Sequence, residues 1–477
     1  QAMDLENDCD ESSTALGDNN ADCQITGLDD QQISSVLDQS NTAEALDFSI
    51  IGQDNNAIVS QGLVAVNDCD GTDGNPTECA NIADGNVNEI GGDLITQENE
   101  AHLSSDAISE QFNDLVIDQN VNLLNDCDET GQGLNDAVAC DNHDIQNFVG
   151  PTITQASSNT AGGEATTATI TQSNEAQITQ GLLAIDDCDE SGAGDNLVLC
   201  ENNISNSISP ITQRNDAPIV GDDFVQTNLI GVINQDVQAT NDCDEAGDGD
   251  NGDSGINQFC SNFVRNSLGV VSQENGATGT EVSDISQNNE IASITQNGIA
   301  DNDCDQTGPG DNLAECGNNA KNTIEPISQS NDAVGDLFTD FFQDNDAAFS
   351  QSLAVSNNCD ETTFVVTSEI NGAECRNVAD NFIGPVSQIN TADGQFDALI
   401  DQDNNAAVTQ NLIADNTCEG SGLQLADCDN GEALNAIAGI TQTNTADDEL
   451  DAISTQLNNA VISQDMTLLN DCDEGDL

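Results

Sequence analysis

The chain has 477 residues, of which 88 are Asp or Glu and only four, Arg214, Arg265, Lys321 and Arg376, are Lys or Arg, giving a formal charge of -84. Such a surface repels nucleic acid and anionic lipid and favours cations. The absence of Trp and Tyr, with only 13 Phe, excludes a thick aromatic core and leaves a thin one of Ile, Val, Leu and Ala, and no run of about 18 apolar residues could cross a bilayer as a helix.

The first residue is Gln1, with neither Met nor an apolar leader, as expected of a processed chain. From there the cysteines set the organisation: Cys9, Cys23; Cys69, Cys79; Cys127, Cys140; Cys188, Cys200; Cys243, Cys260; Cys304, Cys316; Cys359, Cys375; Cys418, Cys428; then Cys472 alone. Within a pair the separation is 10 to 17 residues, whereas 43 to 48 residues divide one pair from the next. A glutamine of the Q-x-N-x-A type keeps the same period at Gln39, Gln97, Gln155, Gln213, Gln273, Gln329, Gln388 and Gln442, in steps of 54 to 60 residues. A fixed period of this length signals a repeat architecture. The repeats run 9–68, 69–126, 127–187, 188–242, 243–303, 304–358, 359–417 and 418–471, and 472–477 opens an incomplete one.

Each repeat reads as strands. Segments such as PISQSNDA (326–333), AAFSQSLAV (347–355) and AVISQ (460–464) alternate apolar with polar residues and are separated by Asn, Asp and Gly. Pro151, Pro210, Pro326 and Pro385 stand at strand starts, where a missing N–H costs least. Further glutamines follow about 14 residues after the first (Gln53, Gln111, Gln287, Gln343, Gln402, Gln456) and about 8 residues after those (Gln61, Gln119, Gln296, Gln351, Gln410, Gln464). The expectation is an all-β solenoid of eight repeats of about 58 residues, two rungs per repeat, with an acidic loop closed by its cysteine pair projecting from one rung. At a spacing of roughly 4.8 Å, two rungs per repeat predict a rod of about 80 Å.

The segment N-x-A-x-x-x-Q recurs as Asn55, Ala57, Gln61; Asn174, Ala176, Gln180; Asn345, Ala347, Gln351; Asn404, Ala406, Gln410; and Asn458, Ala460, Gln464. It resembles the second half of the curlin repeat of curli-type functional amyloids, which are secreted fibre subunits. The resemblance implies stacked rungs with Asn and Gln in inward ladders along the axis.

The loop after each first cysteine carries the second pattern. Asp187, Asp189, Ser191, Gly192 and Asp195 occupy positions 1, 3, 5, 6 and 9 of an EF-hand-type calcium loop, and Asp303, Asp305, Thr307, Gly308 and Asp311 repeat them. Asp242, Asp244, Gly247 and Asp250 do so with Ala246 at position 5, and Asp126, Asp128, Thr130 and Gly131 keep the first half. Alternate carboxylates beside a glycine turn suit a hard cation, so Ca2+ is the expected ligand; the alternative is a solvated acidic turn.

Cysteine pairs recurring at this spacing predict one disulfide per loop and an oxidising, extracytoplasmic setting, leaving Cys472 odd. C-x-x-C and C-x-x-C-H are both absent, which argues against structural zinc, iron–sulfur and haem. The two histidines, His102 and His143, fall at unrelated repeat positions, and no nucleophile triad or phosphate loop is visible, so no enzyme is expected. MDLENDCDE near the start and TLLNDCDEGDL at the end share one phase of the repeat. The expected function is a secreted structural subunit of an extracellular filament or surface matrix, polymerising head-to-tail with itself and binding calcium, without membrane insertion. Two alternatives are a non-polymerising cell-surface adhesin or stalk and an acidic calcium- or mineral-binding matrix protein, and halophily alone would also produce the acidity.

Overall fold

The computed structural model describes residues 2–8, 21–26, 31–33, 37–45, 50–69, 71–72, 77–82, 88–90, 95–103, 107–131, 136–150, 152–161, 168–192, 196–218, 223–247, 258–279, 283–307, 313–335, 338–362, 372–394, 398–420, 425–448 and 453–474. Every regular element among them is a β-strand, and all pairings are parallel, in three stacks. One turn illustrates the path. Gln258–Leu268 lies in a second face, Val271–Gly279 in a third, and Ser283–Asp303 in a long face that packs against both. The chain then crosses the cysteine loop to Leu313–Ile324, which stacks on Gln258–Leu268 to begin the next turn. This is the all-β solenoid the repeat predicts.

The number of turns differs from expectation. Gln287 pairs with Gln226 on one side and Gln343 on the other, 61 and 56 residues away, so a whole repeat makes one turn rather than two. The reason lies in strand length: Gln287 and Gln296 share the single 21-residue strand Ser283–Asp303. One strand of the long face does what two shorter rungs were expected to do. The described array therefore rises roughly 40 Å along its axis, about half the expected length.

Alternation along each strand sends every second side chain inward. The interior divides into four apolar clusters. Ile178, Ile233 and Ile294 of the long face meet Ile208, Leu268 and Ile324 of the second face and Ile211, Val271 and Ile327 of the third. Leu182, Val237 and Leu353 face Ile204 and Val264. Phe224, Ile285, Phe341 and Ile400 pack against Ala217, Ala277, Ala333 and Ala392. The cysteines form the fourth cluster. Between the clusters run columns of buried Asn and Gln, which would be costly unless hydrogen-bonded.

They are bonded along the axis. Gln351 Nε2 donates to Gln296 Oε1 at 2.8 Å and to the Phe382 carbonyl at 3.0 Å, while Gln410 Nε2 donates to Gln351 Oε1 at 2.8 Å. Asn289 Nδ2 reaches Asn345 Oδ1 at 3.0 Å and Asn331 Oδ1 at 2.9 Å. The two amide types run in opposite senses. Glutamine ladders donate toward lower-numbered turns, as in Gln111 to Gln53 and Gln442 to Gln388. Asparagine ladders donate toward higher-numbered turns, as in Asn55 to Asn113 and Asn404 to Asn458.

The corner between the second and third faces is tight. A Cβ at Gly269 would come within 2.8 Å of the Pro210 nitrogen, and one at Gly384 within 2.9 Å of the Pro326 nitrogen. Glycine over proline lets consecutive turns stack there.

Candidate functional site

The chemistry concentrates where the long face ends. Cys127, Cys188, Cys243, Cys304, Cys359 and Cys418 form one inward column, and Cys140, Cys200, Cys260, Cys316 and Cys375 form a second beside it, all fully buried. Five disulfides join the columns within a turn: Cys69–Cys79, Cys127–Cys140, Cys188–Cys200, Cys243–Cys260 and Cys304–Cys316. These close the loops as expected. Beyond them the phase shifts: Cys375 bonds Cys418 and Cys428 bonds Cys472, each across successive turns, leaving the buried Cys359 as a free thiol. The expected Cys359–Cys375 and Cys418–Cys428 pairs are therefore replaced, and Cys472 is not the odd cysteine. Stacking explains why both phases fit. Cα–Cα separations are 6.4 to 6.8 Å for the five and 6.9 and 6.3 Å for the two, so a sulfur has equivalent partners in its own turn and the adjacent one. The expected Cys9–Cys23 pair lies outside the described residues. The seven disulfides among the described residues fit an oxidising compartment.

Carboxylates flank the sulfurs on the outer side. The strand stays extended through the N-D-C-D segment, so Asp126 and Asp128 face outward while Cys127 points inward. Asp126 pairs in register with Asp187, Asp187 with Asp242, and Asp242 with Asp303. Backbone bonds carry the stack across the cysteines: Cys127 N–H donates to the Asp187 carbonyl at 2.8 Å, and Glu129 N–H to that of Asp189 at 2.9 Å. Asp128, Asp189, Asp244 and Asp305 form the parallel row, and next to it Thr130, Ser191, Ala246 and Thr307 stack in register. Positions 1, 3 and 5 of the loop pattern thus run along one straight face, in columns about one strand spacing, ~4.8 Å, apart. A cation held by these described positions would draw its donors from neighbouring turns. Thr130, Ser191 and Thr307 are exposed, and Asp195, Asp250 and Asp311 lie outside the described residues.

Crowding like charges on a partly buried surface raises carboxyl pKa values. Burial, then Asp189, Asp242, Asp126 and Asp128, push Asp187 up to about 6. Burial and the neighbours Asp242, Asp189, Asp305 and Asp303 push Asp244 up to about 7, and burial with Asp303 and Asp360 pushes Asp305 up to about 6. Asp189 and Asp242 are also raised, chiefly by burial. Burial, with Asp360, Asp303 and Asp305 nearby, pushes the Cys359 thiol up.

Several buried carboxyls were not anticipated from sequence. Glu129 and Glu190 turn inward beside the cysteines and pair in register. Asp186 is fully buried in an asparagine column, accepting from Asn125 Nδ2 at 2.8 Å and Asn142 Nδ2 at 2.6 Å, and burial holds its pKa well above the usual range. The signal for Asp186 was present: N-D-C-D at 67–70, 125–128, 241–244 and 302–305 becomes D-D-C-D at 186–189. His102 is exposed and His143 half-buried; His102 Nδ1 lies 2.6 Å from Thr160 Oγ1, and His143 Nε2 lies 3.2 Å from Asp144.

No family model, curated protein or solved structure matches the chain.

Proposed function

We propose that the chain is a structural subunit of an extracellular filament or surface matrix that polymerises head-to-tail, in the manner of the curli-type fibres its N-x-A-x-x-x-Q segments resemble, and binds calcium along its carboxylate rows. The opposed polarity of the amide ladders carries this reading. An edge facing higher-numbered turns offers glutamine acceptors and asparagine donors, while the opposite edge offers glutamine donors and asparagine acceptors. A second copy added in the same orientation continues both ladders and the parallel strands; an inverted copy interrupts the parallel stacking and breaks the register of both ladders. Such a contact is heterologous and generates an open filament. The carboxylate rows support the calcium half of the reading, because a divalent ion between turns would neutralise charges that otherwise repel.

Electron microscopy of the purified chain with and without a calcium chelator tests both halves. Filaments one solenoid wide are expected with calcium, shortened or lost on chelation. Monomers under both conditions overturn assembly and favour the second reading, an acidic ion-binding stalk or matrix protein, which the carboxylate rows serve equally well. A melting temperature that responds to NaCl and calcium at matched ionic strength alike would assign the acidity to halophily.

A further inference from the structure

We propose that the sulfur column is a thiol–disulfide relay, in which the Cys359 thiol exchanges with the disulfides stacked on it and the free thiol migrates along the axis to emerge at Cys472. Two observations lead there. The first is proximity: the three sulfurs of Cys359, Cys375 and Cys418 lie within 4.8 Å of one another, as do those of Cys418, Cys428 and Cys472. Toward lower-numbered turns the same holds for Cys304, Cys316 and Cys359 and for Cys243, Cys260 and Cys304. Every link of the column is thus within reach of the next attacking sulfur.

The second observation is the change of pairing phase, and it occurs at Cys359. Below it each disulfide lies within one turn, and above it each spans two. A free thiol is the boundary between the phases, and moving the boundary costs no scaffold change because the Cα separations match. Exchange proceeds by attack of a thiolate on a disulfide sulfur; because burial holds Cys359 in its thiol form, the exchange is slow.

The steps balance without an oxidant. The Cys359 sulfur bonds to Cys375 as the Cys375–Cys418 bond breaks, and the proton Cys359 loses ends on Cys418. Cys418 then bonds to Cys428 as Cys428–Cys472 breaks, and the proton passes to Cys472. Among the described cysteines, seven disulfides and one thiol are present before and after. The product is paired within turns throughout, and the thiol has moved from a buried position to an exposed one. Cys472 is thereby a site for covalent modification by an external maleimide or disulfide, supplied from the interior.

The test is alkylation of the folded full-length chain with a maleimide–polyethylene glycol too bulky to enter the core, followed by acid quench and peptide mapping. The expected result is polyethylene glycol on Cys472, accumulating with time, together with Cys359–Cys375 and Cys418–Cys428 cross-links. Cys359→Ser should abolish the Cys472 label. Labelling of Cys472 undiminished in that variant overturns the relay. So does a wild-type chain in which Cys472 stays unlabelled while Cys359 is alkylated only after unfolding. Should Cys359→Ser fail to fold, the wild-type cross-link map decides: pairs of both phases that interconvert on incubation support exchange, and one unchanging set of pairs refutes it.

Discussion

Asn142 Nδ2 donates to Asp186 Oδ1 at 2.6 Å across the interior, setting a carboxyl where the turns on either side carry the amides of Asn125 and Asn241. Asp186 Oδ2 has no hydrogen-bond partner. An asparagine there would donate onward to Asn241, as Asn241 donates to Asn302 at 3.0 Å. Asp186→Asn should therefore stabilise the chain at neutral pH by on the order of 1–3 kcal/mol, the cost of an unsatisfied buried polar group. Because burial raises the folded pKa, the native state retains a proton that the unfolded chain releases above about pH 4. The gain should shrink as pH falls toward 4. Urea denaturation at pH 4.5 and 7.5 measures it, and a variant less stable at both would show that Asp186 is not a defect in the ladder.

The carboxylate rows carry the same sign. Asp187, Asp244 and Asp305 are raised to about 6, 7 and 6, against about 4 when unfolded. The folded state holds more protons across this interval, so stability falls as pH rises from about 4 to 7. The melting temperature should climb on acidification from pH 8 to pH 5, and millimolar calcium should flatten that slope by taking the protons' place. Calorimetric scans with and without calcium decide the matter; a melting temperature that drops on acidification contradicts the assigned crowding.

Calcium stoichiometry locates the ions. Replacing Asp187 and Asp189 with Asn removes two donors from adjacent columns. If ions sit between turns, the turns on both sides lose donors, and isothermal titration should show a fall greater than one site's share of the total. An unchanged count would place calcium elsewhere or nowhere.

Gln351→Leu tests the interior ladders. It leaves Gln296 Oε1 and the Phe382 carbonyl without their donor, and Gln410 Nε2 without one acceptor. Gln410 Nε2 keeps the Asn381 and Ala436 carbonyls as acceptors, so the two groups that lose their donor, at about 1 kcal/mol or more each, predict a loss on the order of 2 kcal/mol. Leucine fills a similar volume, so hydrophobic gain offsets part of it. A midpoint of denaturation within experimental error of wild type would mean that the amides are interchangeable with aliphatic packing.

Much of the fold could be read from residue spacing because stacked turns place like on like: Gln53, Gln111, Gln172 and Gln226 fall in one column. The count of turns could not, since Gln287 and Gln296 are compatible with either two short strands or one long one. Their nine-residue separation hides a further detail. Two inward residues on one strand need an even spacing, and an extra outward residue restores the phase, as Gly231 does between Ile230 and Val232. The acidic columns are legible as composition, but their straight course follows from the backbone staying extended through N-D-C-D, between the end of the long strand and the short strand after it, where a loop is expected. The phase of disulfide pairing was not legible, because it depends on two distances that stacking makes equal.

Parallel coiling has a consequence for how the chain acquires its structure. Every described strand pairs with a segment 53 to 61 residues away, as in Cys375 with Cys428 and Gln172 with Gln111. Closing one such loop costs roughly 3–4 kcal/mol of chain entropy before any contact repays it, and topologies dominated by distant pairings fold slowly. The first pair of turns is therefore the nucleus and the bottleneck. Once it exists, each later segment meets a finished template and adds by wrapping, as in other repeat arrays. Addition to an existing edge should consequently outrun spontaneous folding, so that preformed solenoid seeds abolish the lag of an unfolded pool.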